Sequence, residues 1–197
     1  MDHGVSRNRK GAAFFGSKIW LYPNFGIFLR IDFASSRHMK FEIVNIEEFS
    51  GGMAQIYSVM FENDDATLMD HFFEDNAQYR EELEEMAKKL QTMGNDTGCR
   101  IQFFKENEGA PGDGVVAFWY KQMRLYCLRI GSACIILGDG GYKPPEISAY
   151  QEDELLNSKA QQMRKLAACI NKAIVNKDLM VGEDGIITTT DFIELDI

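Results

Sequence analysis

Two stretches near the middle of the chain hold the residues best suited to chemistry. "MRLYCLRI" (123–130) places Arg124 and Arg129 inside a strand-like run, and "GDGGYKPP" (138–145) ends the next run on Tyr142 and Lys143. A period of two puts Arg124, Tyr126, Leu128 and Ile130 on one strand face and Leu125, Cys127 and Arg129 on the other. An arginine at such a half-buried position is costly unless it meets a carboxylate or opens onto a wet concave surface. Tyr142 and Lys143 stand at the rim that such a surface would share, and Lys105 and Lys121 flank the strand before Arg124. Guanidinium and ammonium groups arranged in this way can hold an anion and the charge that develops on it. The alternative use of the same arginine is an ion pair inside a passive sheet.

Other chemistries find little support. The three histidines, His3, His38 and His71, are scattered and form neither a ligand set nor a pairing with serine or cysteine. "GDGG" lacks the Lys-Ser/Thr of a phosphate loop and leads into prolines rather than a helix, so it reads as a flexible strand exit. Cys99, Cys127, Cys134 and Cys169 show no CxxC spacing and read as small core hydrophobes in a reducing, cytoplasmic compartment. Neither a metal nor a cofactor is expected.

The charge of −9 is unevenly spread. Residues 39–99 carry fourteen Asp/Glu against four Lys/Arg, whereas residues 100–150 carry five against six. The first 38 residues are basic and the last 47 acidic. An anionic ligand of the main body would therefore bind within 100–150.

The elements that must position these residues follow from periodicity. "KFEIVNI" (40–46) and "AQIYSVMF" (54–61) are strand runs joined by a glycine turn. A helical stretch starts at Thr67, which forms a capping box with Asp70; Asn76 splits this stretch and Gly94 stops it. "CRIQFF" (99–104), "GVVAFWY" (114–120), "MRLYCLRI" and "ACIIL" (133–137) are four short strands, the last three an antiparallel meander with tight turns at "KQ" and "GS". A second helical stretch runs from about Ile147 to Val175, with Met163, Leu166, Ala167, Ile170 and Ile174 on one face. The tail, "VGEDGIITTTDFIELDI", reads as a hairpin around Glu-Asp-Gly. The fold class is α+β: a small antiparallel sheet packed with helices.

Residues 1–38 are basic, aromatic and interrupted by Pro23, Asn24 and Gly26, which suits neither a signal core nor a membrane span. They read as a poorly ordered extension, and residues 39–197 as one domain with additions.

The helix stop "TMGNDTG", the run "FFKENEG" before "GDGVVAFWY", the pair "MRLYCLRIGSACIILGDGGYKPP" and the following helix resemble the RelE/HigB toxin superfamily, above all its phage-derived HigB-like branch. The likeness covers about residues 67–175 and rests on element order and on the pattern R-h-Y…G…hhhL…G…K, with h apolar. It implies a toxin–antitoxin toxin that cuts messenger RNA in the ribosomal A site without a metal, through the nucleotide's own 2′-hydroxyl. It also implies a cognate helix-turn-helix antitoxin as partner and no membrane. Carried over by position, Arg124 stabilises the phosphorane-like transition state, Lys143 clamps the phosphate or donates a proton, and Tyr142 orients or stacks on a base. Lys105, Lys121, Arg129, Tyr126 and Tyr150 are the implied substrate contacts. Two departures stand out: "GVVAFWY" lacks lysines that several members carry there, and the chain as a whole is acidic. They favour the competing expectation, a non-catalytic phage-derived interaction protein on the same fold.

Overall fold

Strand β4 (Arg37–Asn45) and strand β5 (Gln55–Phe61) pair antiparallel, as the two apolar runs and their glycine turn require. The computed structural model describes residues 37–106 and 112–189, with side chains from Lys40 onward, together with strand backbone at 14–15, 18–19, 26–33 and 193–196. Chain order is β1 (Phe14–Phe15), β2 (Lys18–Ile19), β3 (Gly26–Phe33), β4, β5, α1 (Leu68–Asp75), α2 (Arg80–Thr92) and β6 (Phe104–Lys105). Then come β7 (Val115–Tyr120), β8 (Met123–Ile130), β9 (Cys134–Tyr142), α3 (Glu154–Asn176), β10 (Leu179–Val181), β11 (Ile187–Thr189) and β12 (Ile193–Asp196).

The main sheet has the order β12-β3-β4-β5-β9-β8-β7-β6. β7, β8 and β9 form the expected antiparallel meander. The sheet is mixed rather than antiparallel throughout, because β9 lies parallel to β5. The boundary expected at Met39 falls inside β4, whose backbone pairs with that of β3. Within the expected extension, strand backbone is described at 14–15, 18–19, 26–33 and 37–38, and its other residues lie outside the described ones.

Both faces of the central strands are covered. Val116, Phe118, Leu125 and Cys127 pack with Phe72, Met86 and Leu90 of α1 and α2. Val115, Ala117, Tyr126 and Leu128 pack with Met163, Leu166 and Ile170 of α3 on the opposite side. Burial on both faces explains why these strands are nearly all apolar. Each fully buried Leu or Phe contributes roughly 1.5–3 kcal/mol through removal from water. The alternation expected for β8 is thus observed. The open concave face is not, since α3 lies across it.

Several boundaries differ from expectation for local reasons. α2 runs through a π-helical turn, Met93–Thr97, and the chain reverses at Gly98 with φ 71°, so Gly94 is not the stop. "CRIQFF" forms a 3-10 turn over Ile101–Phe103 and a strand of only two residues. "GDGG" is buried strand, not a flexible exit: β9 continues to Tyr142. Gly140 is what allows this, since a Cβ there would stand 1.8 Å from the Arg124 carbonyl oxygen at the β8–β9 bulge. α3 begins only at Glu154, where the Asp153 carboxylate accepts the Leu156 N–H, after a 3-10 turn at Tyr150–Glu152.

The expected tail hairpin is present as β10–β11. Tyr57 ties it to the sheet: its hydroxyl accepts the Ile187 N–H at 3.0 Å and donates to the Gly185 carbonyl at 3.4 Å. Among the described residues, no helix is long and apolar enough to cross a membrane.

Candidate functional site

The meander brings the ends of three strands together. β7 ends on Trp119 and Tyr120, the loop Lys121–Gln122 turns the chain, and β8 starts at Met123 and Arg124. β9 ends beside them: Tyr142 pairs with Met123, and the Lys143 N–H donates to the Gln122 carbonyl at 2.8 Å. Four of the eight residues singled out in the sequence, Lys121, Arg124, Tyr142 and Lys143, therefore share one end of the sheet. Lys105 joins them from the edge strand, its ammonium 4.6 Å from the centre of the Trp119 ring.

Arg124 sits where its alternation placed it, yet it is only 3% exposed. Its Nη1 donates to the main-chain carbonyls of Lys121 and Met123, both at 2.9 Å. Its guanidinium carbon lies 5.9 Å from the Trp119 ring centre, across the β7–β8 register. Hydrogen bonds to a charged donor are worth about 1.5–3 kcal/mol each when buried, so these two make Arg124 a strut of the hairpin. Through Nη1 the guanidinium is turned toward the turn's own backbone.

Lys121 carries the unusual geometry. It opens a two-residue hairpin loop with φ 48°, a position normally filled by glycine. An L side chain in that region costs about 1–2 kcal/mol. Its ammonium pairs with the Glu82 carboxylate at 3.0 Å and stands 5.6 Å from the Tyr120 ring centre. The hydrogen bond from Lys121 holds the Glu82 carboxyl below its ordinary range, and the same bond raises the Lys121 ammonium.

Lys89 of α2 completes the group. Its ammonium lies 4.4 Å from the Tyr120 ring centre and 5.9 Å from that of Trp119. Desolvation lowers its proton affinity, with Glu85 opposing. Such cation–ring contacts are worth about 0.5–1 kcal/mol where exposed. Lys89, Trp119 and Tyr120 were not among the sequence-derived candidates. Lys89 belongs to what reads as a solvated helix face, and nothing local to α2 says that it crosses β7.

The side chains of Tyr142 and Lys143 turn to other partners at this end, and Arg129, Tyr126 and Tyr150 lie away from it. Tyr142 stacks on Tyr79, rings 4.7 Å apart and 6° from parallel. Lys143 donates to the Ser148 carbonyl at 2.8 Å. Arg129 is at the far end of β8, where its Nε donates to the Cys99 carbonyl at 2.7 Å. Tyr126 and Tyr150 are buried against each other in the α3-side core, ring centres 5.6 Å apart. Both belong to the packed core in this arrangement.

A second polar cluster lies where β9 leaves β5. Their register ends at Ser58↔Leu137, and α1 packs beside the unpaired half of β9. There Lys159 of α3 meets Asp139 at 3.0 Å and Asp75 at 3.2 Å, while His71 meets Asp64 at 2.7 Å. Among the described residues, no three His, Cys, Asp or Glu side chains are grouped so as to hold a metal ion.

Comparison with protein-family models, with curated proteins and with solved structures found no match.

Proposed function

We propose that the chain is the toxin half of a toxin–antitoxin pair, of RelE/HigB type, which engages messenger RNA on the ribosome through the sheet end where β7 turns into β8. The observation that carries this reading is the convergence of Lys89, Lys105 and Lys121 on the rings of Trp119 and Tyr120. Ammonium groups meet phosphates, and aromatic faces stack on bases regardless of sequence. The group lies within or beside the one segment of the main body that is not acidic.

Cutting by this route has the 2′-hydroxyl attack the adjacent phosphorus while the bond to the 5′-oxygen breaks. The products are a 2′,3′-cyclic phosphate and a 5′-hydroxyl end. Cations near the non-bridging oxygens carry the developing charge, a role that falls to Lys121 and Lys105. A helix-turn-helix antitoxin is the proposed partner.

One observation favours a second reading, an interaction protein that binds without cutting. The guanidinium to which the resemblance gives the transition-state charge is engaged with main-chain carbonyls. Mapping transcript 5′ ends after induced expression separates the two. New 5′-hydroxyl ends in codon register, reduced by Lys105→Ala with Lys121→Ala, support the toxin. RNA or a protein partner retained by the chain without such ends supports the binding protein, and neither new ends nor a retained partner sinks both.

A further inference from the structure

We infer that Arg124 is a positioning residue that acts through Lys121: it fixes the turn that presents the Lys121 ammonium, and Glu82 holds that ammonium until a phosphate displaces it. The inference rests on the proposed RNA contact for its purpose, but its geometry stands on the hairpin alone.

A lysine at the first loop position gives up the backbone ease that glycine would bring. Such a conformation persists only where the surroundings determine it, and two elements do so here. From β8, the buried Arg124 reaches back to the Lys121 carbonyl and clamps it together with the Met123 carbonyl. From α2, Glu82 takes the other end of the residue at 3.0 Å. The side chain between these anchors is 54% exposed, so a phosphate can reach its ammonium from solvent. Tyr120 and Lys89 stand beside it as neighbouring base and phosphate contacts. An exchange of one carboxylate for one phosphate oxygen on Lys121 would then accompany RNA binding, with Glu82 as an intramolecular competitor.

Two measurements on the full chain test this. The first needs no RNA: the rate at which acetyl N-hydroxysuccinimide modifies Lys121, read by peptide mass spectrometry with Lys177 as internal reference. Glu82→Gln and Arg124→Gln should each speed Lys121 modification roughly two- to five-fold, the protection an exposed ion pair of ordinary strength provides. Arg124→Lys, which keeps the charge but not the fork, should fall between. Unchanged Lys121 reactivity in the arginine variants, with Glu82→Gln responding, overturns the inference. Arg124→Lys serves if Arg124→Gln does not fold.

The second measurement is fluorescence anisotropy of a labelled twelve-nucleotide oligouridine across a salt series. Lys121→Gln should lower the slope of log affinity against log salt by about 0.7, the loss of one phosphate on a single strand. Arg124→Gln should do the same, and the double variant should lose no more than either alone. Additive losses would give Arg124 a contact of its own and overturn the positioning role. If the wild-type chain ignores the oligonucleotide while the modification rates respond as stated, the proposed function fails and the positioning of Lys121 stands.

Discussion

Lys159 reaches from α3 to Asp139 on β9 at 3.0 Å, and the two side chains are only 12% and 11% exposed. The pair sits where β9 has no strand partner on its β5 side, and the same ammonium touches Asp75 of α1. It therefore joins the helix layers of both sheet faces through a break in the sheet. Lys159→Met should cost about 3–5 kcal/mol, since it leaves a buried carboxylate without its cation. Urea unfolding should show a lower midpoint at an unchanged slope. Burial raises the Asp139 carboxyl above its ordinary range. The folded state of the variant therefore holds a proton that the unfolded state releases, and the lost stability should return in part as pH falls toward 4. A loss that ignores pH would place the effect in packing, not in charge.

His71 and Asp64 form a second pair with a different pH signature. Burial alone would lower His71, but the hydrogen bond and charge of Asp64 outweigh it, so the net direction is up from 6.5. Burial alone would raise Asp64, but the hydrogen bond from His71, with backbone N–H groups, outweighs it, so the net direction is down from 3.8. The histidine's contribution is present below 6.5 and lost as pH rises through its folded value. The carboxylate's is present above 3.8 and lost as pH falls through its depressed value. The pair is about one third exposed, so its worth is about 0.2–1 kcal/mol. His71→Gln should lower the unfolding midpoint at pH 5.5 and change it little at pH 9. Equal losses at both values would mean that the ring acts as packing alone.

The α1 start was fully legible, and it supplies a strict test. The Thr67 hydroxyl accepts the Asp70 N–H at 3.2 Å and donates to the Asp70 carboxylate at 2.8 Å, which also accepts the Thr67 N–H at 2.9 Å. Thr67→Ala should cost about 1–2 kcal/mol, toward the upper end because both residues are buried. Thr67→Ser should recover most of it. Equal losses in both variants would assign the effect to the methyl group.

What the sequence revealed depends on the distance over which each cause acts. Thr67 and Asp70 are three residues apart, and the alternation of β8 needs only its own eight residues, so both could be read directly. The two-residue loop at Lys121–Gln122 was equally local. The partner of Arg124 was not, because a main-chain carbonyl has no letter; it requires the hairpin to close and Lys121 to take a positive φ. Glu82 and Lys89 reached the site only because α2 crosses β7, a packing choice that α2's own charged face conceals. The buried course of "GDGG" depended on Met163 packing over Gly138 and on the Arg124 carbonyl approaching Gly140, both set by chain far from the motif.

Among the described residues, two other than glycine have positive φ: Lys121 at 48° and Lys177 at 66°. Lys177 caps the C-terminus of α3, where the left-handed conformation is ordinary and glycine is the usual occupant. Replacing either lysine with glycine removes the same kind of strain and should raise stability by about 0.5–1 kcal/mol, measured as a higher urea midpoint. Their functional outcomes should part. Lys177→Gly should leave oligouridine binding and its salt slope untouched, since its strain serves only the helix end. Lys121→Gly should yield a more stable chain that binds more weakly, because the strain is what keeps an ammonium at the hairpin tip. A stabilised Lys121→Gly chain with unweakened binding would show that the lysine is incidental there, and that the cations at this end act through Lys89 and Lys105.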